Sequence, residues 1–141
     1  MTRIDITVPD KILFETHFFI KEEDINFANH MGNERILVFA NTVRTNFYKH
    51  LDLLEGDWAN GHGTIVANHS VKYITEGFLD DEIICKVGVN ELTTCSFDMV
   101  MQFIKKETQK TLALVRSAVV YFDYNERRIR ELPQSYLDKF L

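Results

Sequence analysis

The sequence predicts an α+β fold in which an antiparallel sheet of about five strands wraps around one long central helix. Two observations carry this prediction. Ile36, Ala40, Val43 and Phe47 recur at helical spacing and form one apolar stripe. Almost everything after residue 63 instead alternates between apolar and polar residues, which is typical of antiparallel strands. A helix with such a stripe must bury it, and a sheet is the partner that the remaining sequence offers.

The first third of the chain contains one strand and the helix. Residues 12–20 are rich in aromatic and β-branched residues, which predicts a strand. A polar, turn-prone stretch follows. The helix is expected to begin at Asn33, a good N-cap residue, with Glu34 at the positive end of the helix dipole. Three glycines between residues 56 and 63 predict a loop.

Four strands are predicted after this loop, at 64–74, 82–89, 94–105 and 111–123. The last is apolar almost throughout, as expected for a strand covered on both sides. The tail from Pro133 is expected to form a short helix or to lie extended. In the strand 64–74 the odd-numbered residues are predicted to share one face: Ile65, Ala67, His69, Val71 and Tyr73.

Bulk properties restrict the class of protein. The 141 residues are expected to form one domain, 1–141. Sixteen Lys and Arg against 21 Asp and Glu give a formal charge of −5, which argues against nucleic acid as a partner. No apolar stretch reaches the ~20 residues of a membrane span, and the N-terminus lacks the apolar segment of a secretory signal. A cytoplasmic protein without membrane contact is therefore expected.

The two cysteines are expected to be reduced. A hairpin turn near residues 90–93 places Cys95 opposite about Gly88 rather than opposite Cys85, which is poor geometry for a disulfide.

The segment between the first strand and the helix carries a family resemblance. It reads DINFANHMGN from Asp24 to Asn33. It resembles the D-x-D-x-x-G-H-V-N-N segment of the 4-hydroxybenzoyl-CoA thioesterase family of hotdog proteins, with matches at Asp24, His30 and Asn33. Later features also resemble the family: Tyr73, Asp81-Glu82, Ser96 and Phe122-Asp123. The resemblance implies a hotdog fold and hydrolysis of an acyl-CoA or acyl-carrier-protein thioester, with no cofactor and no metal.

The sequence departs from the family at both positions where an acid is expected. The second Asp of the family segment, its usual catalytic carboxylate, is replaced by Asn26. A second acidic position used in related enzymes, about two turns into the helix, is occupied by Asn41. An amide does not accept a proton at neutral pH, although it can orient a water or a carbonyl group.

Four side chains are therefore candidates for catalysis. His30 comes first, because histidine changes charge near neutral pH; its alternative role is a hydrogen bond that holds the loop to the helix. Glu34 is the second candidate; its alternative role is that of a solvated residue in the first turn of the helix. Asp24 is expected to share a face with Asn26 if this stretch is extended. Asn26 is expected to orient water or the carbonyl, or else to form an ordinary Asx turn.

Substrate binding is expected from the same region and from the helix. Backbone N–H groups from Gly32 to Glu34 can hold an oxyanion, because the first donors of a helix lack partners. The small Gly32 lets a carbonyl approach the backbone closely. The other candidate contacts to the substrate are Asn33, Asn41 and Phe27.

Two further interpretations stay open, together with an expectation about assembly. A non-catalytic protein that binds an acyl thioester explains both asparagines directly. An enoyl-CoA hydratase resembles the chain through Asp24, Asn26 and His30, but its D-x-N-P-x-H spacing is one residue shorter and its proline is missing here. Because a single sheet and helix leave edges uncovered, a homodimer or a dimer of dimers is expected.

Overall fold

The polypeptide forms one antiparallel sheet of seven strands with a helix against one face. The computed structural model describes residues 1–141. The sheet order is β1-β4-β5-β6-β3-β2, and β7 pairs with the end of β6. The elements are β1 (Phe14–Phe19), α1 (Arg35–His50), β2 (Gly56–Asp57), β3 (His62–Tyr73), β4 (Glu82–Asn90), β5 (Ser96–Lys105), β6 (Thr111–Asp123), β7 (Arg128–Ile129) and α2 (Gln134–Phe140).

All five predicted strands are found, and each end lies within two residues of its predicted position. The strand predicted at 111–123 is found at those residues. The sheet contains seven strands rather than about five, because β2 and β7 are two-residue strands too short to leave a pattern in the sequence. The tail forms α2, which packs Tyr136 and Phe140 into the core.

Two helices of 16 and 7 residues replace the single long helix of the prediction. The apolar stripe of α1 is buried, with Ile36 and Phe47 completely inaccessible to solvent. The helix begins at Arg35 rather than at Asn33. The predicted N-cap role of Asn33 is wrong, because residues 32–34 form a turn closed by the Arg35 N–H on the Gly32 carbonyl (3.1 Å). Glu34 then occupies the N-cap position, with no side-chain capping bond.

A β-bulge at Ala67 changes which face the residues of β3 occupy. Val66 pairs with Val119 and Asn68 with Ala118, so Ala67 is unpaired. The predicted face is therefore wrong before the bulge: Val66 packs against the core and Ile65 is 40% exposed on the opposite face. After the bulge the prediction is correct, and Val71 packs against the core.

The N-terminal segment crosses the sheet face opposite α1. At Thr7 the segment lies beside β4, where the Asn90 side chain donates to the Thr7 carbonyl (2.8 Å). Residues 1–4 lie against Val71, Lys72 and Tyr73 of β3. Because β5 and β6 lie between β4 and β3, the segment passes over both strands. On that face Val100 and Leu114 are buried without belonging to the core under α1. We call residues 1–10 the N-terminal arm.

The two cysteines are free thiols. Cys85 is buried and pairs with Phe103, whereas Cys95 precedes β5. Gly88 pairs with Val100 rather than with Cys95, because the β4–β5 connection extends over residues 91–95. Neither helix has the length and apolar character that crossing a membrane requires.

Candidate active site

The segment between β1 and α1 folds into a tight loop. A single 3-10 turn (Glu22–Asp24) leads into a bridge between Ile25 and Met31. Within the bridge, the Asn26 N–H donates to the His30 carbonyl (2.9 Å). The Asn26 side-chain oxygen accepts from the Ala28 N–H (3.0 Å), which is an Asx turn. The Asx-turn alternative for Asn26 is thus confirmed, and its side-chain NH2 group makes no hydrogen bond within the protein and can contact a ligand.

The loop is anchored to the segment that follows β3. The Met31 N–H donates to the Gly77 carbonyl (2.8 Å). On the other side of Glu76, the Thr75 N–H donates to the Leu112 carbonyl (3.1 Å) and the Thr75 hydroxyl donates to the Thr111 carbonyl (3.0 Å). Residues 75–77 are therefore held between β6 and the loop, and Glu76 projects from a backbone fixed on both sides.

A cleft of about 190 Å³ lies where the loop, the start of α1 and the end of β3 meet. It brings together four of the predicted site residues. Its apolar part is formed by Met31, Ile36 and Leu112. The polar and small residues that line it are Asn26, His30, Gly32, Asn33, Tyr73, Thr75, Glu76 and Gly77.

The imidazole of His30 has one nitrogen committed to the backbone. Its Nδ1 lies 3.1 Å from the Met31 carbonyl oxygen. A carbonyl oxygen only accepts, so this contact places the hydrogen of the neutral ring on Nδ1. Nε2 then carries a lone pair and can accept a proton. The contact fits the predicted role of His30 as a base, because it leaves Nε2 free. It joins neighbouring residues of the loop and does not tie the loop to the helix, as the alternative role required.

Backbone N–H groups that can hold an oxyanion are present, but not at Gly32. The Gly32 N–H donates to the Asp24 carbonyl (2.9 Å), so this part of the prediction is wrong. The N–H groups of Asn33 and Glu34 make no hydrogen bond within the protein. The Asn33 carbonyl accepts from the Tyr73 hydroxyl (2.8 Å), which fixes the turn against β3.

Two carboxylates stand at the cleft. A Cβ placed on Gly32 would lie 2.6 Å from Glu34 Oε1, so the Glu34 side chain folds back over this glycine. Burial raises the pKa of the Tyr73 hydroxyl, and the negative charge of Glu34 adds to the rise. The second carboxylate, Glu76, was missed by the sequence analysis. It lies between two strands in no recognisable motif, and only its place directly after β3 and next to Gly77 distinguishes it.

Asp24 lies outside this cleft. It is 3% exposed, and its Oδ1 accepts from Arg35 Nε and lies 2.8 Å from Arg35 Nη2 as well. Its Oδ2 accepts from the Lys21 N–H (2.9 Å). The predicted common face with Asn26 is wrong, because the 3-10 turn and the tight loop replace the extended chain that this prediction assumed.

A larger cavity of about 430 Å³ lies between β1 and α1, and Asp24 and Arg35 are part of its wall. Their charges are directed at each other rather than at the cavity. His17, Lys21 and Glu23 also line this cavity, but Asp24 is its only predicted site residue, whereas the smaller cleft has four. The smaller cleft is therefore the better candidate for chemistry.

Phe27 and Asn41 also lie away from the cleft. Phe27 is at the tip of the loop and is 99% exposed. Asn41 is exposed on α1, where its side-chain oxygen accepts from Arg44 (3.1 Å). Neither residue lines the cleft within this chain. No group of three His, Cys, Asp or Glu side chains is arranged to hold a metal ion.

An antiparallel sheet packed on α1 is the architecture of hotdog-fold proteins. The sequence model of the Thioesterase-like superfamily matches residues 20–140. The chain therefore belongs to the Thioesterase-like superfamily.

Solved structures of thioesterases are similar over nearly the whole chain. A 1,4-dihydroxy-2-naphthoyl-CoA thioesterase from Synechocystis superposes with a TM-score of 0.83 at 13% identity, covering 90% of this chain and 94% of that one. A gentisyl-coenzyme A thioesterase has a TM-score of 0.79 at 16% identity, covering 91% and 100%. A Staphylococcus aureus protein in complex with CoA has a TM-score of 0.79 at 15% identity, covering 96% and 85%. At these identities the similarity establishes the fold. No match is found among curated proteins.

Proposed function

We propose that this protein is an acyl-CoA thioesterase, which hydrolyses an acyl thioester to the free acid and CoA by means of an activated water. The observation that carries the proposal is the cleft itself. His30 and Asn26 line one small volume together with the turn that leads into α1, and the Nε2 of His30 makes no hydrogen bond within the protein. Membership of the Thioesterase-like superfamily and the similarity to a CoA-bound structure support an acyl-CoA substrate.

The reaction assigns a role to each group. The thioester carbonyl oxygen accepts hydrogen bonds from the N–H groups of Asn33 and Glu34, which stabilise the oxyanion as it forms. The Asn26 NH2 group orients the carbonyl or the water. His30 Nε2 takes a proton from the water, whose oxygen bonds to the carbonyl carbon. The carbon–sulfur bond then breaks, and the leaving thiolate takes the proton from His30.

We also propose a family within the superfamily and a mode of assembly. The matches at Asp24, His30 and Asn33 favour the 4-hydroxybenzoyl-CoA thioesterase pattern within the superfamily. Residues 1–141 act as one cytoplasmic domain. A homodimer, or a dimer of dimers, is supported by the free edge of β3, where β2 covers only two residues. Strand pairing between two copies satisfies such an edge.

The test is release of free thiol from a panel of acyl-CoAs, comparing the wild type with His30→Gln. We expect turnover by the wild type and a loss of at least tenfold in kcat for the variant. His17→Gln is the matched control, because this histidine lies on β1 with its side chain 67% exposed. Equal loss in both variants would contradict the role given to His30.

A second candidate function is binding of an acyl thioester without turnover. The presence of Asn26 and Asn41 at both positions where the family carries an acid favours it. Calorimetric binding of an acyl-CoA without thiol release would support this alternative. A 3-hydroxyacyl product would instead indicate the enoyl-CoA hydratase type.

A further inference from the structure

The fixed charges at the cleft are all negative. Glu76, an exposed residue, is the one residue with a formal charge among those that line it, and the Glu34 carboxylate folds over Gly32 at its edge. No Lys or Arg lines the cleft. A bound group at this place is therefore exposed to two carboxylates and to no compensating cation.

The nearby cations are committed elsewhere. Lys105 donates to the Glu76 carbonyl (3.0 Å), but its ammonium group pairs with Asp81 (3.3 Å) and lies over the Phe78 ring. Arg35, at the start of α1, holds Asp24 with two of its nitrogens. Neither charge is free to bind an anionic substrate group.

Part of the wall of the cleft is apolar. Met31 and Leu112 are buried core residues whose surfaces contribute to the lining, and Ile36 is fully buried beneath it. An apolar group placed here loses contact with water and gains contact with these side chains, which is favourable. A carboxylate placed here loses hydration and faces the negative charge of Glu76, which is costly.

We propose that the cleft selects thioesters with neutral acyl groups and rejects those whose acyl group carries a carboxylate, with Glu76 as the main determinant. The inference rests on the proposed function, since it places the acyl group in the same cleft as the reacting carbonyl. Glu34 adds to the rejection. The substrate class is thus a small, uncharged acyl group rather than a dicarboxylic one.

The expected preference for a neutral acyl group follows from the repulsion between the Glu76 carboxylate and a carboxylate on the substrate. At a separation of about 8 Å, with an effective dielectric between that of a protein surface and that of water, the repulsion is worth roughly tenfold in kcat/KM. Because the cleft is open to solvent, added salt screens part of this repulsion. The preference is therefore expected to decrease as ionic strength increases.

The experiment compares propionyl-CoA with malonyl-CoA, which differ by a methyl group against a carboxylate at one position. The wild type is expected to favour propionyl-CoA at least tenfold in kcat/KM at low salt. Glu76→Gln is expected to reduce this ratio about fivefold. Glu107→Gln is the matched control, because it removes one negative charge from an exposed turn between β5 and β6 and should leave the ratio unchanged.

The outcomes separate this inference from the proposed function. If the wild type hydrolyses both thioesters equally, or if Glu76→Gln and Glu107→Gln change the ratio to the same extent, the selection by Glu76 is refuted while the thioesterase function stands. If neither of these thioesters nor any other acyl-CoA of the panel is hydrolysed, the proposed function fails. The ratio of the two dissociation constants, measured by calorimetry, then tests the charge selection, and equal affinities overturn it.

Discussion

Replacing Asp24 by Asn tests whether this residue is structural, as its contacts indicate, or catalytic, as the sequence allowed. The Asp24 side chain is 3% exposed and receives two contacts from Arg35 at 2.8 Å and one from the Lys21 N–H at 2.9 Å. Asparagine keeps the size of the side chain but removes its charge. It also leaves the Arg35 guanidinium without its counter-ion.

The magnitude follows from the burial of the two partners. Breaking a buried ion pair by changing one partner costs about 3–5 kcal/mol. The side chain of Arg35 is 27% exposed and regains some hydration, so the lower end of this range applies. We therefore expect Asp24→Asn to reduce the free energy of unfolding by about 3 kcal/mol. With a urea m-value near 2 kcal/mol/M, the midpoint of unfolding decreases by about 1.5 M.

The assay is urea unfolding at pH 7 followed by circular dichroism, with thiol release measured at urea concentrations well below the transition. Asp10→Asn is the control, because Asp10 is exposed and should change stability by less than about 0.5 kcal/mol. Turnover by the folded Asp24→Asn protein is expected to fall less than tenfold. Unchanged stability together with abolished turnover would refute the structural role and assign Asp24 to the reaction.

Three other substitutions give independent outcomes. The buried Tyr48 hydroxyl makes no hydrogen bond, so Tyr48→Phe should raise the free energy of unfolding by about 1 kcal/mol in urea titrations. Glu34→Gln should raise kcat several-fold, because its carboxylate opposes the oxyanion; a tenfold loss would instead identify Glu34 as the base. Asp123→Asn tests pH dependence. Several contacts hold the pKa of Asp123 below its usual range, and the hydrogen bond from the Glu126 N–H contributes most. Wild type should exceed this variant in melting temperature at pH 7, and the difference should shrink as pH falls from about 5 to 3.

The sequence predicts the parts of the fold that repeat regularly. The apolar stripe of α1 and the alternation in β5 are visible because many residues report the same periodicity, and the buried stretch 111–123 corresponds to β6 without error. The start of α1 was placed two residues early, because a single capping candidate, Asn33, competes with a local turn whose hydrogen bonds are not evident in the sequence. The N-terminal arm was not predicted, since its contacts depend on which strands lie beside one another.

The candidate site was predicted where it is local in sequence. Asn26, His30, Gly32 and Asn33 follow one another closely, so the loop that joins them also brings them to one cleft. Glu76 comes from a distant part of the chain and reaches the cleft only because β3 ends beside α1. Its discovery required the tertiary structure.

The bulge at Ala67 has a consequence for anyone who aligns this chain with distant homologues. A homologue whose strand lacks the extra residue requires a one-residue gap at that position. Without the gap, every residue from His62 to Val66 is matched to a neighbour that points to the opposite side of the sheet. Val66 would then be compared with a solvent-facing residue and Ile65 with a core residue, so inferred substitutions in this half of the strand would exchange buried and exposed sites.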